Sequence, residues 1–262
     1  MIRHTRLALL AALLACLPGC RPIPPRGLPQ DPGEALSSIQ ALDRPTQLRV
    51  RGRFRVAISG IAVDFGVDLL ADRRGNARVD LDYPFGGRAM TLVLSEDGAL
   101  LGEAHGLDLV LFTPDAGSLM GRVAGPNADA SQLVDLLLGR LPGGFDGRVT
   151  WERREQHTVL AMEMHGGRRA LFDLEQAPVR LQRMVLEDGD KGVLATATWT
   201  DWRETEGIWM PSDVELDVPG SIGLVSLNVR EIQTAPEVSA ETYRVEPPTG
   251  DYKPFESLFE SL

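Results

Sequence analysis

Cysteine is nearly absent from this chain of 262 residues, which contains Cys16 and Cys20 alone. Both lie in the first 20 residues, which have the pattern of a leader cut before Cys20. The mature chain would then hold one cysteine, which excludes an intramolecular disulfide and a cysteine-based metal site. Stability must therefore come from a hydrophobic core, and about 220 residues are enough to bury one as a single domain.

Basic residues are also scarce relative to acidic ones. The chain has 27 Lys and Arg against 37 Asp and Glu, for a formal net charge of −10 at pH 7. Loss of the leader removes Arg3 and Arg6, which leaves 25 basic against 37 acidic residues, or −12. No basic patch or tail remains, so we expect neither nucleic-acid binding nor a purely electrostatic grip on anionic lipid.

The motifs of common enzyme classes are missing as well. His105, His157 and His165 are scattered and form no HExxH motif. Ser118 lies in Ala-Gly-Ser-Leu-Met-Gly, which is not the GxSxG elbow of hydrolases. No phosphate-binding loop or dinucleotide fingerprint occurs, and the carboxylates fall on the wet faces of strands or in turns. We predict no catalytic residue, no metal and no cofactor, and that the protein is not an enzyme.

The N terminus, MIRHTRLALLAALLACLPGC, has the pattern of a bacterial lipoprotein signal peptide. Arg3 and Arg6 give it a positive start, and the apolar run 7–17 is too short to cross a bilayer. Small residues then precede Cys20. We predict cleavage after residue 19 and acylation of Cys20, because two or more acyl chains hold a protein stably at a membrane. The alternative is an ordinary secretory signal followed by a chance cysteine.

The segment after Cys20 predicts a tether and then a helix. Residues 21–30 carry four prolines without apolar periodicity, which indicates an extended linker. Asp31 can cap a helix that has Pro32 at its first position and Glu34 three residues after the cap. The predicted division is a signal peptide over 1–19, the lipidated cysteine and tether over 20–30, and one domain over 31–262.

From residue 48, apolar and charged residues alternate as in strands with one wet face. One face would carry Val50, Gly52, Phe54, Val56 and Ile58, and the other Arg49, Arg51, Arg53 and Arg55. With Ser59 and Gly60 as the turn, Arg55 should face Asp64, and Arg51 should face Asp68. We interpret these arginines as the outer face of a sheet rather than as an anion site.

Strand patterns continue to residue 113, stop over 114–145 and return from 147. The later predicted spans are 100–105, 107–113, 147–154, 157–165, 168–174, 179–187, 192–203, 208–218 and 223–233. In the interruption, Ser131 can cap a leucine-rich helix that ends near Leu141. The predicted fold is mainly β with a few helices, built from two antiparallel meanders around a helical insert.

This order of elements, together with the lipoprotein signal, resembles the LolA/LolB superfamily of periplasmic lipoprotein carriers and receptors, most closely LolB-like outer-membrane lipoproteins. The resemblance spans roughly residues 34–252. It rests on Pro84-Phe85-Gly86, where LolB proteins carry Pro-Leu-Gly, on the helix 130–139 with Leu141-Pro142, on Trp209-Met210-Pro211, and on Glu246-Pro247-Pro248. The loop differs from the family pattern in having Phe85 instead of leucine at its apex.

The resemblance implies a curved antiparallel sheet, an open half-barrel, with a helical lid across its mouth. It implies a hydrophobic cavity for acyl chains lined by Phe54, Val56, Phe65, Val67, Leu92 and Leu94. It further implies a membrane-insertion loop of Pro84, Phe85, Gly86 and Gly87, and a lid containing Leu133, Leu136 and Leu137. The protein would be a monomer on the periplasmic face of the outer membrane, receiving lipoproteins from a LolA-like carrier. Arg21 after the cysteine also favours the outer membrane.

Other interpretations of these residues remain open. The protein could be a structural or assembly lipoprotein whose sheet docks a protein partner, or a carrier of another lipid. The cavity and lid residues could form an ordinary core, and Phe85 could pack on its own sheet. A solid core would favour the docking role.

Overall fold

The computed structural model describes residues 24, 26–42, 45–58, 61–116, 135–141, 147–154, 157–164, 167–176, 178–190, 192–219 and 223–258. The predictions for Cys20, Ser131 and Leu133 lie outside these residues. Most of the described chain is β-strand, which confirms the predicted fold class. The helices in this part of the chain are all too short or too polar to span a bilayer.

The first meander contains six strands joined by short turns. They are β1 (Gln47–Ile58), β2 (Ile61–Asp72), β3 (Ala77–Asp82), β4 (Arg88–Leu94), β5 (Leu100–Ala104) and β6 (Leu109–Thr113). Each pairs antiparallel with the next.

The remaining strands form a second meander, a small hairpin and an edge strand. They are β7 (Val149–Arg154), β8 (His157–Glu163), β9 (Arg168–Glu175), β10 (Arg180–Asp188), β11 (Gly192–Thr200), β12 (Arg203–Thr205), β13 (Ile208–Met210), β14 (Asp213–Val218), β15 (Gly223–Thr234) and β16 (Lys253–Pro254). Strand β15 pairs with β1 and so joins the two meanders into one sheet. Its order is β16-β6-β5-β4-β3-β2-β1-β15-β14-β11-β10-β9-β8-β7, which leaves the curved sheet open between β16 and β7.

The strands differ from the predicted spans in two places. The spans 192–203 and 208–218 are each divided, because β12 and β13 form a separate hairpin between β11 and β14. Asp201 has a φ of 52°, and Pro211 has no backbone N–H to donate, so both residues interrupt the strand pattern. Strand β16 pairs parallel with β6 and was not predicted, because two residues carry no periodicity.

The pairing of β1 with β2 separates an inner, apolar face of the sheet from an outer, charged one. Phe54 lies opposite Phe65 on the inner face, and Arg55 lies opposite Asp64 on the outer face. The two predicted ion pairs are confirmed: Arg55 Nε is 2.8 Å from Asp64 Oδ1, and Arg51 Nε is 3.2 Å from Asp68 Oδ2. The register therefore follows from the period of two along each strand.

Helix α1 (Pro32–Gln40) packs on the inner face of the sheet near β7. Its cap is as predicted, since Asp31 Oδ1 accepts a hydrogen bond of 2.9 Å from the Glu34 N–H. Ala35 and Ile39 are buried, and the helix packs against β7. The main core is continuous across the inner face and includes Val50, Leu69, Leu160, Met162, Phe172, Met184, Trp199, Val214 and Leu227.

Candidate functional site

The six residues predicted to line a cavity all lie on the inner face. Phe54 pairs with Phe65, and Val56 is two residues further along the same face. Leu92 pairs with Val79 of β3, which in turn pairs with Leu69 of β2. Val67 and Leu94 are buried, whereas Phe54, Val56, Phe65 and Leu92 are half-buried. The six residues therefore share a face but not one cluster. Phe54, Phe65 and Val67 belong to the main core, whereas Leu94 packs with Ala116, and Leu92 packs with Phe255.

The inner face becomes exposed towards the turn between β1 and β2. Val63 pairs with Val56 and is 42% exposed, and Ile61, at the start of β2, is 71% exposed. The pairing of β2 with β3 begins at Gly66, so residues 61–65 of β2 extend past the end of β3. The described chain therefore leaves apolar inner-face surface accessible at this end of the sheet.

Near β11, the inner face is covered by the end of the helical insert, residues 135–141. Leu138 and Leu141 are buried in the main core, and the predicted lid residues Leu136 and Leu137 are half-buried against it. The indole Nε1 of Trp199 donates a hydrogen bond of 2.6 Å to the Leu136 carbonyl. The C-terminal end of the insert is therefore attached to the sheet, and a lid role for its leucines remains a prediction.

A pocket of about 120 Å³ lies at the end of the sheet opposite the exposed apolar surface. Asp72, Arg73 and Arg140 line it together with Leu48 and Leu138. Its charged lining differs from the apolar cavity that the sequence predicts, so we do not assign acyl chains to it.

Phe85 stands at the apex of the turn between β3 and β4. The Tyr83 N–H donates to the Gly87 carbonyl, and the Gly86 N–H donates to the Tyr83 carbonyl, each at 3.0 Å. Gly86 and Gly87 have φ values of 94° and 87°, which suit glycine. The Phe85 side chain is fully exposed, at 101%. The ring does not pack on its own sheet, and its insertion into a membrane stays a prediction.

Sequence reasoning missed a buried arginine between two tryptophans. The Arg180 guanidinium is 4.4 Å from the ring centroid of Trp209 and 5.7 Å from that of Trp202. Its Nη2 is 3.2 Å from Glu175 Oε2, and Trp202 Nε1 donates to the Leu181 carbonyl at 3.1 Å. The signal in the sequence that could have indicated this cluster is the presence of Trp202 and Trp209 around one short hairpin. The cluster fixes the β12–β13 hairpin to the turn before β10, which is a structural role.

Asp80 on the outer face and Tyr243 both have shifted pKa values, but neither shift prepares the group for proton transfer. Burial alone would raise the pKa of Asp80, but hydrogen bonds from Arg78, Arg88 and Thr91 outweigh it and lower that pKa. Burial, with Asp72 nearby, raises the pKa of Tyr243 to about 12. Neither group changes protonation near neutral pH, and the described residues include no His, Cys, Asp or Glu cluster that could hold a metal ion.

No family model and no curated protein matches the sequence, but several solved structures match the fold. A DUF1329 family protein from Desulfovibrio piger has a TM-score of 0.56 at 7% identity, covering 81% of this chain and 95% of its own. A LolA superfamily protein from Nitrosomonas europaea has a TM-score of 0.56 at 13% identity, covering 81% and 97%. A putative outer membrane lipoprotein-sorting protein domain from Vibrio parahaemolyticus has a TM-score of 0.53 at 9% identity, covering 81% and 97%.

None of these three structures is named for an enzymatic activity. Identities of 7 to 13% establish the fold alone. The predicted resemblance to the LolA/LolB superfamily is confirmed at that level, whereas a specific relationship to LolB does not follow. The chain has a LolA-like fold: a large, open, curved antiparallel sheet with an apolar inner face.

Proposed function

We propose that this protein is a membrane-anchored lipoprotein of the bacterial envelope that binds acyl chains, or the acyl chains of other lipoproteins, on its inner face. The observation that carries this proposal is the inner face itself. It is apolar from β1 across to β9, and the end of it that contains Ile61 and Val63 is exposed to solvent. The outer face of β1 and β2, in contrast, is charged and forms ion pairs such as Arg55 with Asp64.

Acyl chains suit this surface because both are apolar and neither supplies polar partners. Burial of apolar area is worth about 25 cal/mol per Å², so a long chain gains affinity from its length rather than from its headgroup. The half-buried Phe54 and Phe65 would provide part of that area. Such a site should hold acyl chains with little headgroup discrimination.

In this proposal, the N terminus fixes the protein to the periplasmic face of the outer membrane. Cys20 carries the acyl anchor, residues 21–30 form the tether, and the domain acts as a monomer. A periplasmic LolA-like carrier docks and passes its acyl chains to the inner face. Leu133, Leu136 and Leu137 cover the bound chains, and Phe85 enters the leaflet to assist release. The Vibrio parahaemolyticus domain, named as a putative outer membrane lipoprotein-sorting protein domain, supports this proposal by analogy of fold.

Native mass spectrometry of a soluble form beginning at Arg21, purified from the periplasm without detergent, tests acyl-chain binding. The informative pair of variants is Val63→Asp and Ala62→Asp. These neighbours lie on opposite faces of β2, and each exchange adds one negative charge to an exposed position. We expect lipid or acylated-peptide adducts on the unsubstituted protein and on Ala62→Asp, and their loss from Val63→Asp. A protein that stays free of adducts after incubation with lipoprotein would contradict the proposal and favour the protein-docking role.

A further inference from the structure

Three neighbouring hairpin turns at one end of the sheet each present an exposed apolar side chain. Ile61 follows the β1–β2 turn and is 71% exposed, Phe85 in the β3–β4 turn is 101% exposed, and Leu107 in the β5–β6 turn is 75% exposed. These hairpins are adjacent in the sheet. Successive turns of an antiparallel meander alternate between its two ends, so these three share one end. We call Ile61, Phe85 and Leu107 the apolar rim.

Tyr83 connects the three hairpins directly beneath the rim. Its ring centroid is 6.2 Å from that of Phe65 on β2, so the first and second hairpins touch. A Cβ atom added at Gly106 would lie 3.3 Å from the Tyr83 hydroxyl, so the second hairpin also reaches the third. Tyr83 therefore links the three hairpins, so Ile61, Phe85 and Leu107 belong to one connected end of the sheet rather than being unrelated exposed residues.

The two ends of the first meander differ in charge. Residues 57–63 and 83–87, which include the first two rim turns, contain no acidic or basic residue, and the third rim turn, residues 105–108, contains one acid, Asp108, and His105. The turns at the other end are charged: Arg73-Arg74-Gly75-Asn76 joins β2 to β3, and Glu96-Asp97-Gly98 lies between β4 and β5. If both ends of the sheet faced only water, we would expect charged turns at both, because charged turns are better solvated than apolar ones.

We propose that the apolar rim inserts as a unit into the surface of a lipid bilayer. The proposal rests on the proposed function, which places the protein at a membrane, and it adds Ile61 and Leu107 to Phe85. Protruding tips can each bury their apolar side chain among fluid acyl chains, whereas a protein partner would need a separate pocket for each. The chain has a net charge of −10, so hydrophobic insertion rather than attraction to anionic lipid would drive the contact.

This contact would also orient the acyl-binding surface. Ile61 pairs with Ile58 at the end of the inner face, and Val63 is the next inner-face residue of β2. With the rim in the bilayer, the exposed end of the inner face would meet the leaflet. Acyl chains could then pass between the sheet and the bilayer with little exposure to water.

Site-directed labelling of the full chain in phosphatidylcholine vesicles tests this proposal. Single cysteines at positions 61, 85 and 107 carry an environment-sensitive nitrobenzoxadiazole (NBD) group. Matched cysteines at positions 74 and 97 report on the turns of the opposite end. The unsubstituted protein, treated in parallel, measures any label on Cys16 or Cys20. We expect emission at shorter wavelength, and quenching by bilayer-embedded nitroxide lipid, at all three rim positions and at neither control. The signals should persist at high salt, which screens ionic contacts.

The possible outcomes separate this inference from the function on which it rests. Insertion at position 85 alone would overturn the three-point rim and leave the Phe85 loop in place. If the labels at all three rim positions are as exposed to water as those at 74 and 97, both the three-point rim and the membrane-insertion role of the Phe85 loop are overturned. That result would point to a protein partner for this surface. Equal insertion of rim and control labels, or its loss at high salt, would also overturn the rim. None of these results alters the adduct masses, which decide acyl-chain binding separately.

Discussion

Arg55 of β1 lies directly opposite Asp64 of β2, and its guanidinium donates two hydrogen bonds to that carboxylate. Arg55 Nε is 2.8 Å from Oδ1, and Arg55 Nη2 is 3.0 Å from Oδ2. The hydrogen bond from Arg55 lowers the pKa of Asp64 and raises that of Arg55. A slip of one residue would move Arg55 to the inner face, so the pair marks the register of the hairpin on which the apolar surface depends.

Reversal of one charge in this pair should destabilise the protein slightly, and reversal of both should restore stability. Arg55→Glu places two carboxylates opposite each other, whereas Arg55→Glu with Asp64→Arg recreates an ion pair in the opposite direction. In urea unfolding, the free energy of unfolding of the double variant should be higher than that of Arg55→Glu and close to that of the unsubstituted protein. A double variant no more stable than either single one would show that the pairing contributes nothing.

Asp80 should make the folded state sensitive to acid. Its pKa is lowered on folding, because hydrogen bonds from Arg78, Arg88 and Thr91 outweigh the effect of burial. The unfolded carboxyl, with a pKa of about 3.9, therefore takes up protons first as pH falls. The stability that Asp80 contributes is present above that pH and is lost as pH falls through the folded pKa. The unfolding free energy of Asp80→Asn should fall less steeply below about pH 4 than that of the unsubstituted protein. Parallel curves would contradict the assignment.

Trp199 should hold the end of the insert against the sheet. Trp199→Phe removes the hydrogen bond to the Leu136 carbonyl and part of a fully buried side chain, at a cost of about 1–3 kcal/mol. We expect faster amide hydrogen exchange over residues 135–141. Trp151→Phe is the matched control, since Trp151 Nε1 donates to the Gln30 carbonyl instead. Equal exchange of the insert in both variants would mean that Trp199 does not position it.

Gly102 should be required for the docking of the C-terminal segment. A Cβ there would lie 2.7 Å from Phe255 Cζ and 3.1 Å from Leu92 Cδ2. Gly102→Ala should therefore cost about 1–3 kcal/mol through overpacking and should loosen Phe255 from the sheet. Addition of Phe255→Leu to Gly102→Ala should recover part of the loss in urea unfolding, because the smaller side chain leaves room. No recovery in the double variant would exclude this contact as the cause.

Phe85→Glu should leave folding unchanged and slow the insertion of lipoproteins into membranes. The side chain is fully exposed, so its replacement should change the unfolding free energy by no more than about 0.5 kcal/mol. Insertion kinetics into reconstituted liposomes measure the effect. Gln182→Glu is the control, as an exposed position on β10 with the same change in charge. Equal insertion rates for the two variants would remove Phe85 from the mechanism.

Local patterns along the chain were sufficient for much of this fold. Alternation of apolar and charged residues predicted the strands, because side chains on a strand point to opposite faces in turn. The same period, with a two-residue turn, predicted that Arg55 would face Asp64. Asp31, Pro32 and Glu34 predicted the start of α1, since capping depends on neighbours within one turn. These predictions involve contacts between residues that are close in sequence or joined by one short turn.

Contacts between distant residues were decided by the tertiary structure alone. Three contacts join segments that share no common period. Arg180 stacks on Trp209, Phe255 packs over Gly102, and β16 pairs parallel with β6. The apolar rim belongs to this group as well. In the sequence, Ile61 and Leu107 are single apolar residues beside turns, and each could have been buried. The order of strands in the meander places their turns at the same end as that of Phe85. Only the tertiary structure shows that all three side chains are exposed there, because exposure depends on which elements cover a side chain.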